Sequence, residues 1–169
     1  MLDEMPDHLL LLVAHVESAF ASFDAEQWYA SRGEGKWTRL RVLGHLIDSA
    51  ANNHQRFVRA ISQPRLDWPG YDQTAHVAVQ QYGSADPAVC VALWAAYNRH
   101  ISHVIRQITP AKASTRCSIG GAPEMTLSDL ALDYVAHLEH HLKQLLEDRA
   151  IGYSGMPWPP ADPNRQWPV

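Results

Sequence analysis

Apolar residues recur every three or four positions in four stretches of this chain, and alternation with a period of two is scarce. A 3.6-residue period turns one face of a helix toward a core, so the pattern predicts an all-α fold of four helices. The first is expected over about 7–23, with Leu9, Leu12, Val13, Val16 and Phe20 on one face. A polar, glycine-containing stretch, SRGEGK, follows it. The second opens at KWTRLRVLGHLIDSA, where Thr38 is placed to cap and Trp37 to staple onto Val42. The fourth opens the same way in PEMTLSDLALDYVAHLEHHLKQLLED: Thr126 caps, Met125 and Leu130 form the staple, and Asp129 completes a capping box.

The third helix is expected from Pro87 to Ile108, with Val91, Leu93, Trp94, Tyr97, Ile101, Val104, Ile105 and Ile108 on its apolar stripe. Pro87 suits a first turn, where its missing N–H is harmless. Residues 63–86 form a long connection containing Pro64, Pro69 and Gly70, with a short helical piece expected near 73–82. Such a crossover lets the second and third helices run parallel. After Asp148 the tail GYSGMPWPPADPNRQWPV is too proline-rich to be helical. Its Trp158 and Trp167 imply packing, either on the bundle or on a partner, and the first is the expectation. The chain thus divides into a bundle over 1–150 and a Pro/Trp-rich tail over 151–169.

With 169 residues, 46% of them apolar, there is enough material for one sizeable core. A formal charge of −4, from 14 Lys and Arg against 18 acids, argues against a general nucleic-acid binder, which needs a basic face. Cys90 and Cys117 are too few for a disulfide framework or a thiolate zinc site, which points to a reducing cytoplasm. The apolar run near the start is short and preceded by acids, so neither a signal peptide nor a membrane span is expected. Trp68 and Trp94 belong either to the core or to an interface.

Ten histidines stand out, and helical geometry sorts them. Residues four apart project about 40° apart around a helix. Stepping from Leu130 through Tyr134, His137 and His141 to Leu145 therefore traces the buried stripe of the last helix and leaves His140 on its flank. Two imidazoles on a core stripe must be hydrogen-bonded or coordinated, since an unpaired buried polar group costs about 1–3 kcal/mol. An i, i+4 pair is a common way to offer two imidazoles to one transition-metal ion; a pair of satisfied core histidines is the alternative. The second helix supplies His45, with Gly44 beside it and Ser49 and Asn52 continuing its face. Three imidazoles from two helices would make an open site with room for water or substrate.

His54, nine residues from His45, lies half a turn round the helix and is expected at the surface. His8, His15 and His76 are expected to be solvated or capping, and His103 points elsewhere. His100 is either structural or a cavity-lining acid/base group. The candidates for proton handling are His100, Tyr134 and His140; Glu139 lies between the histidines but off their shared face.

Trp37-Thr38, followed by Val42-Leu43-Gly44-His45-Leu46, and some ninety residues later His137-x-x-His140-His141-x-x-Gln144, resembles the DinB/YfiT-like superfamily of metal-binding four-helix bundles. The likeness spans roughly Leu9 to Glu147. It implies an up-down-down-up bundle with a divalent ion, zinc or nickel, on His45, His137 and His141, a place for Gln144 behind them, and a homodimer. It also implies activity of the thiol S-transferase type, in which a low-molecular-weight thiol attacks a small electrophile. A hydrolase using metal-bound water and a non-catalytic, metal-stabilised small-molecule-binding or stress-response protein are the alternatives.

Overall fold

The computed structural model describes residues 2–146. The tail over 151–169, with its expected packing, lies outside them. Ten elements follow in order: α1 (Met5–Phe20), α2 (Ala25–Tyr29), α3 (Arg39–Ser62), β1 (Arg65–Trp68), α4 (Gln73–Val79), α5 (Pro87–Ile105), α6 (Pro110–Ala113), β2 (Arg116–Ile119), β3 (Met125–Thr126) and α7 (Leu127–Leu145). The four long helices α1, α3, α5 and α7 form the expected four-helix bundle, α3 packing on α5 and α7, and α1 on α5.

The helix starts follow the sequence. Thr38 accepts from Arg41 N ahead of α3, and Thr126 with Asp129 forms a reciprocal capping box ahead of α7. Each cap satisfies backbone N–H groups that the first turn leaves without partners, which fixes the register of the histidines that follow. The faces named from the sequence are buried, including Leu9, Val13, Phe20, Trp94, Ile101 and Ile105. Trp94 is therefore a core residue; its ring lies 6.3 Å from Phe20, which packs edge-on against Trp28 at 5.1 Å.

Four features differ from expectation, each for a local reason. The first helix stops at Phe20 because Asp24 adopts an extended backbone and caps a separate short helix, α2, through a capping box with Gln27. The third stops at Ile105 because the next turn tightens to i→i+3 bonds, Gln107 N to Val104 O and Ile108 N to Ile105 O, before Thr109 caps α6. Leu93 is 48% exposed and belongs to the outer face of α5, not to its core stripe. A small sheet joins the helices: β1 pairs in parallel with β2, and β2 antiparallel with β3. Strands of four and two residues are too short to show a period, yet the register partners Leu66 and Cys117 are both buried.

The crossover carries α4 and a 3₁₀ turn, Tyr82–Ser84, back along α3. Tyr82 lands on Gly44, where an added Cβ would lie 2.2 Å from its ring, so only glycine admits the tyrosine. Tyr82 then donates to Asp48 Oδ1 at 3.0 Å, and Gln80 Nε2 reaches the same oxygen at 2.5 Å. Because the crossover leaves the end of α3 and lands near its beginning, α5 starts beside the start of α3 and the two run parallel. Nine consecutive residues of α3, Val42 to Ala50, are consequently buried. No helix among the described residues is long and apolar enough to cross a membrane.

Candidate metal centre

His45 comes from the second turn of α3; His137 and His141 come from successive turns of α7. His137 Nε2 lies 3.1 Å from His45 Nε2 and 3.0 Å from His141 Nε2. His45 is 1% exposed and His141 fully buried. Burial, aided by the neighbouring His141, holds His45 down at about 4 from an ordinary 6.5. Burial likewise holds His141 at about 4, against the opposing pull of its bond to Gln144. At neutral pH both rings are uncharged.

The outer nitrogens decide what faces inward. Gln144 Oε1 lies 2.9 Å from His141 Nδ1, and its Nε2 lies 3.0 Å from His140 Nε2. An amide oxygen only accepts, so Nδ1 of a neutral His141 carries the proton and Nε2 offers a lone pair to the cluster. Ser49 Oγ lies 3.4 Å from His137 Nδ1 and can hold that ring in the same way. His45 Nδ1 is buried with no hydrogen-bond partner among the described residues.

This donor set fits a metal ion better than it fits itself. In a neutral ring, His137 Nε2 carries either a proton or a lone pair, so it cannot donate to one neighbour while accepting from the other. With His141 Nε2 already an acceptor, the three nitrogens can share at most one three-centre hydrogen bond. A cation answers all three lone pairs at once. Imidazole-to-zinc bonds of about 2.0–2.1 Å in a tetrahedron imply N···N separations of about 3.3 Å, close to the spacings found. The Gln144 bond has the form expected behind a ligating histidine, whose second nitrogen is usually held by an oxygen acceptor. Among the described residues, His45, His137 and His141 form the group of acids, histidines and cysteines that could hold a metal ion.

The other sequence candidates lie elsewhere. His140 touches the cluster's edge, its ring 5.1 Å from His141, and is occupied by Gln144. Tyr134 is 2% exposed and donates to Asn98 Oδ1 at 2.6 Å; burial pushes its hydroxyl far above its ordinary 10, so it serves the core. His100 is exposed on α5, 5.0 Å from His54 and 6.2 Å from His103 by ring centroids, on the far side of α3 from His45. His54 is half-buried there against Tyr97, not simply at the surface. His8, expected to be solvated or capping, is buried and bonded through Nε2 to Glu139 Oε1 at 2.6 Å. His15 is exposed, and exposed His76 packs its ring 4.8 Å from Tyr71.

Several polar neighbours escaped sequence reasoning. Asp48, Asn53 and Arg56 are buried on α3 below His45, and Tyr82 and Gln80 come over from the crossover. The signal existed for Arg56: eleven residues past His45 it falls within about 20° of the same line around the helix. Nothing in the sequence announced which crossover residues would meet it.

A family model described as the DinB superfamily matches residues 10–145. A relative from Bacillus subtilis (strain 168), named "Putative metal-dependent hydrolase YfiT", is 27% identical over 123 residues, covering 72% of this chain and 69% of its own. The solved structure of YfiT from Bacillus subtilis, described as an unusual four-helix bundle topology, superposes with a TM-score of 0.77 at 25% identity, over 90% of this chain and 89% of that one.

Proposed function

The chain belongs to the DinB superfamily, and we propose that it is a metal-dependent enzyme of the thiol S-transferase type, with His45, His137 and His141 holding one divalent ion, zinc or nickel. The observation that carries this reading is the convergence of three imidazole nitrogens, 3.0 and 3.1 Å apart, between α3 and α7, with His45 and His141 buried. An ion bound there would act as a Lewis acid and lower the pKa of a thiol or water beside it.

The chain's own groups favour the thiol. A thiol, with an ordinary pKa near 8.5, has one proton to lose. Hydrolysis by water also asks for a positioned group to take and return protons at the leaving atom. Glu139 is committed to His8, and Asp48, although its Oδ2 has no partner among the described residues, is fixed through Oδ1 by Gln80 and Tyr82. In the proposed reaction the thiol loses its proton and its sulfur forms a bond to carbon of a small electrophile, displacing a halide as the proton leaves to solvent, or opening an epoxide whose oxygen takes up a proton, while Gln144 and Ser49 keep the two α7 imidazoles aimed inward.

The hydrolase reading keeps its place because the relative YfiT is named as one. A thiol-consumption assay separates the two: bacillithiol, mycothiol, glutathione and cysteine against epoxide, halide and activated-alkene probes, beside an ester and amide panel, each with and without chelator. Chelator-sensitive thiol loss supports transfer; chelator-sensitive ester or amide cleavage without thiol supports the hydrolase. We also propose a homodimer in the cytoplasm, with the exposed Val89 and Leu93 of α5 in the contact and the two buried thiols kept free. Light scattering tests the dimer.

A further inference from the structure

The polar stripe of α3 does not end at Ser49. Arg56 continues it and is only 8% exposed. A guanidinium carries five N–H donors and a permanent charge, and burying it is costly unless both are answered. Here one hydrogen bond serves it, Nη1 to Asn53 Oδ1 at 3.2 Å, while Nε is buried with no partner among the described residues. Tyr71 from the crossover and Asp133, one turn before His137 on α7, lie within electrostatic reach. They soften the charge without filling the open donors.

Arg56 lies on the same side of α3 as His45, and its one hydrogen bond runs back along the helix to Asn53. Helical side chains lean toward the helix N-terminus, which on α3 is the direction of His45. The contacts follow that lean: Asn53 Nδ2 reaches Ser49 O at 2.9 Å and Ser49 Oγ at 3.4 Å, and Ser49 Oγ meets His137 Nδ1. Ser49 and Arg56 are about 10 Å apart along the axis, and the arginine side chain covers much of that distance. A small molecule that extends from the metal centre along this polar stripe would meet the unfilled guanidinium.

We propose that Arg56, positioned by Asn53 and Asp133, binds a carboxylate on the thiol co-substrate, so that the enzyme selects acidic thiols over neutral ones of similar size. Arginine suits this role because its planar fork pairs with a carboxylate through two parallel bonds. The inference rests on the thiol reading above and adds to it the chemical class of the thiol.

Calorimetric titration of the zinc-loaded full chain tests it, with mercaptopropionate against its methyl ester and mercaptoethanol, alongside NMR of the Arg56 Nε–H in arginine-labelled protein. Mercaptopropionate is expected to bind about tenfold tighter or better and to move the Arg56 resonance, while the neutral thiols do not move it. Arg56→Gln should erase the preference with zinc content retained, and Arg56→Lys should keep part of it. Equal affinities in the wild-type chain, which need no variant to fold, would overturn the inference, as would a preference surviving in Arg56→Gln. Binding of none of the thiols would instead overturn the thiol reading on which it stands.

Discussion

Two histidine triplets share helix α3, and they have different fates. His45, His137 and His141 meet between α3 and α7, two of them buried and His137 half-buried, with their Nε2 atoms close to one another. His54, His100 and His103 meet across α3 and α5 on the outside, His100 and His103 exposed and their rings stacked at 6.2 Å. Ring proximity is similar in both. What differs is burial, which keeps imidazoles neutral, and outer partners such as Gln144, which decide which nitrogen offers a lone pair. A histidine count therefore says little about a metal site, whereas convergence with fixed tautomers says a great deal.

The largest expected effect breaks the inner triplet. His137→Ala removes the nitrogen that touches both others and should abolish stoichiometric metal binding at micromolar ion, while the same change at His54 or His100 should leave metal content unchanged. Inductively coupled plasma analysis of the purified variants reads this directly. Next comes pH. In the metal-free chain, His45 and His141 sit near 4 when folded and near 6.5 when unfolded, so the unfolded state binds protons first as pH falls. Stability from this source is complete above pH 6.5 and is lost between about 6.5 and 4. Each tenfold difference in proton affinity between the two states is worth roughly 1.4 kcal/mol, so several kcal/mol should go, visible in urea midpoints. His54, half-buried and lowered by burial and then by His100, should add less than either His45 or His141.

Gln144→Leu tests the outer partners alone. It keeps three imidazoles but releases the Nδ1 bond, and metal affinity should fall about 10–100-fold in a competition titration. The smallest effect belongs to the outer triplet: His100→Ala should change stability by no more than about 0.5 kcal/mol, as chemical denaturation would show.

The contrast also marks how far the sequence could be read. Thr38, Thr126 and Asp129 declare their helix starts through local chemistry, and the stripes behind them place His45, His137 and His141 by simple stepping. Gln144 is legible for the same reason, lying one turn beyond His141. The fate of His8 was hidden because its partner Glu139 is 131 positions away, and that of His100 because its orientation depends on how α5 packs against α3. The short strands carry too few residues to show a period, and Asp24 looks like any loop aspartate until its capping box with Gln27 is seen. Local signals survive in one dimension; contacts made by the crossover do not.

The central claim is that the three imidazoles His45, His137 and His141 of α3 and α7 form one metal site. Competition titration of the metal-free chain with zinc and a chromogenic chelator, in wild type and in the His45→Ala, His137→Ala, His141→Ala triple variant, tests it most directly. One tightly bound ion per chain in the wild type and none in the variant is the predicted result. No stoichiometric ion in the wild type, or an ion that persists in the variant, would contradict it.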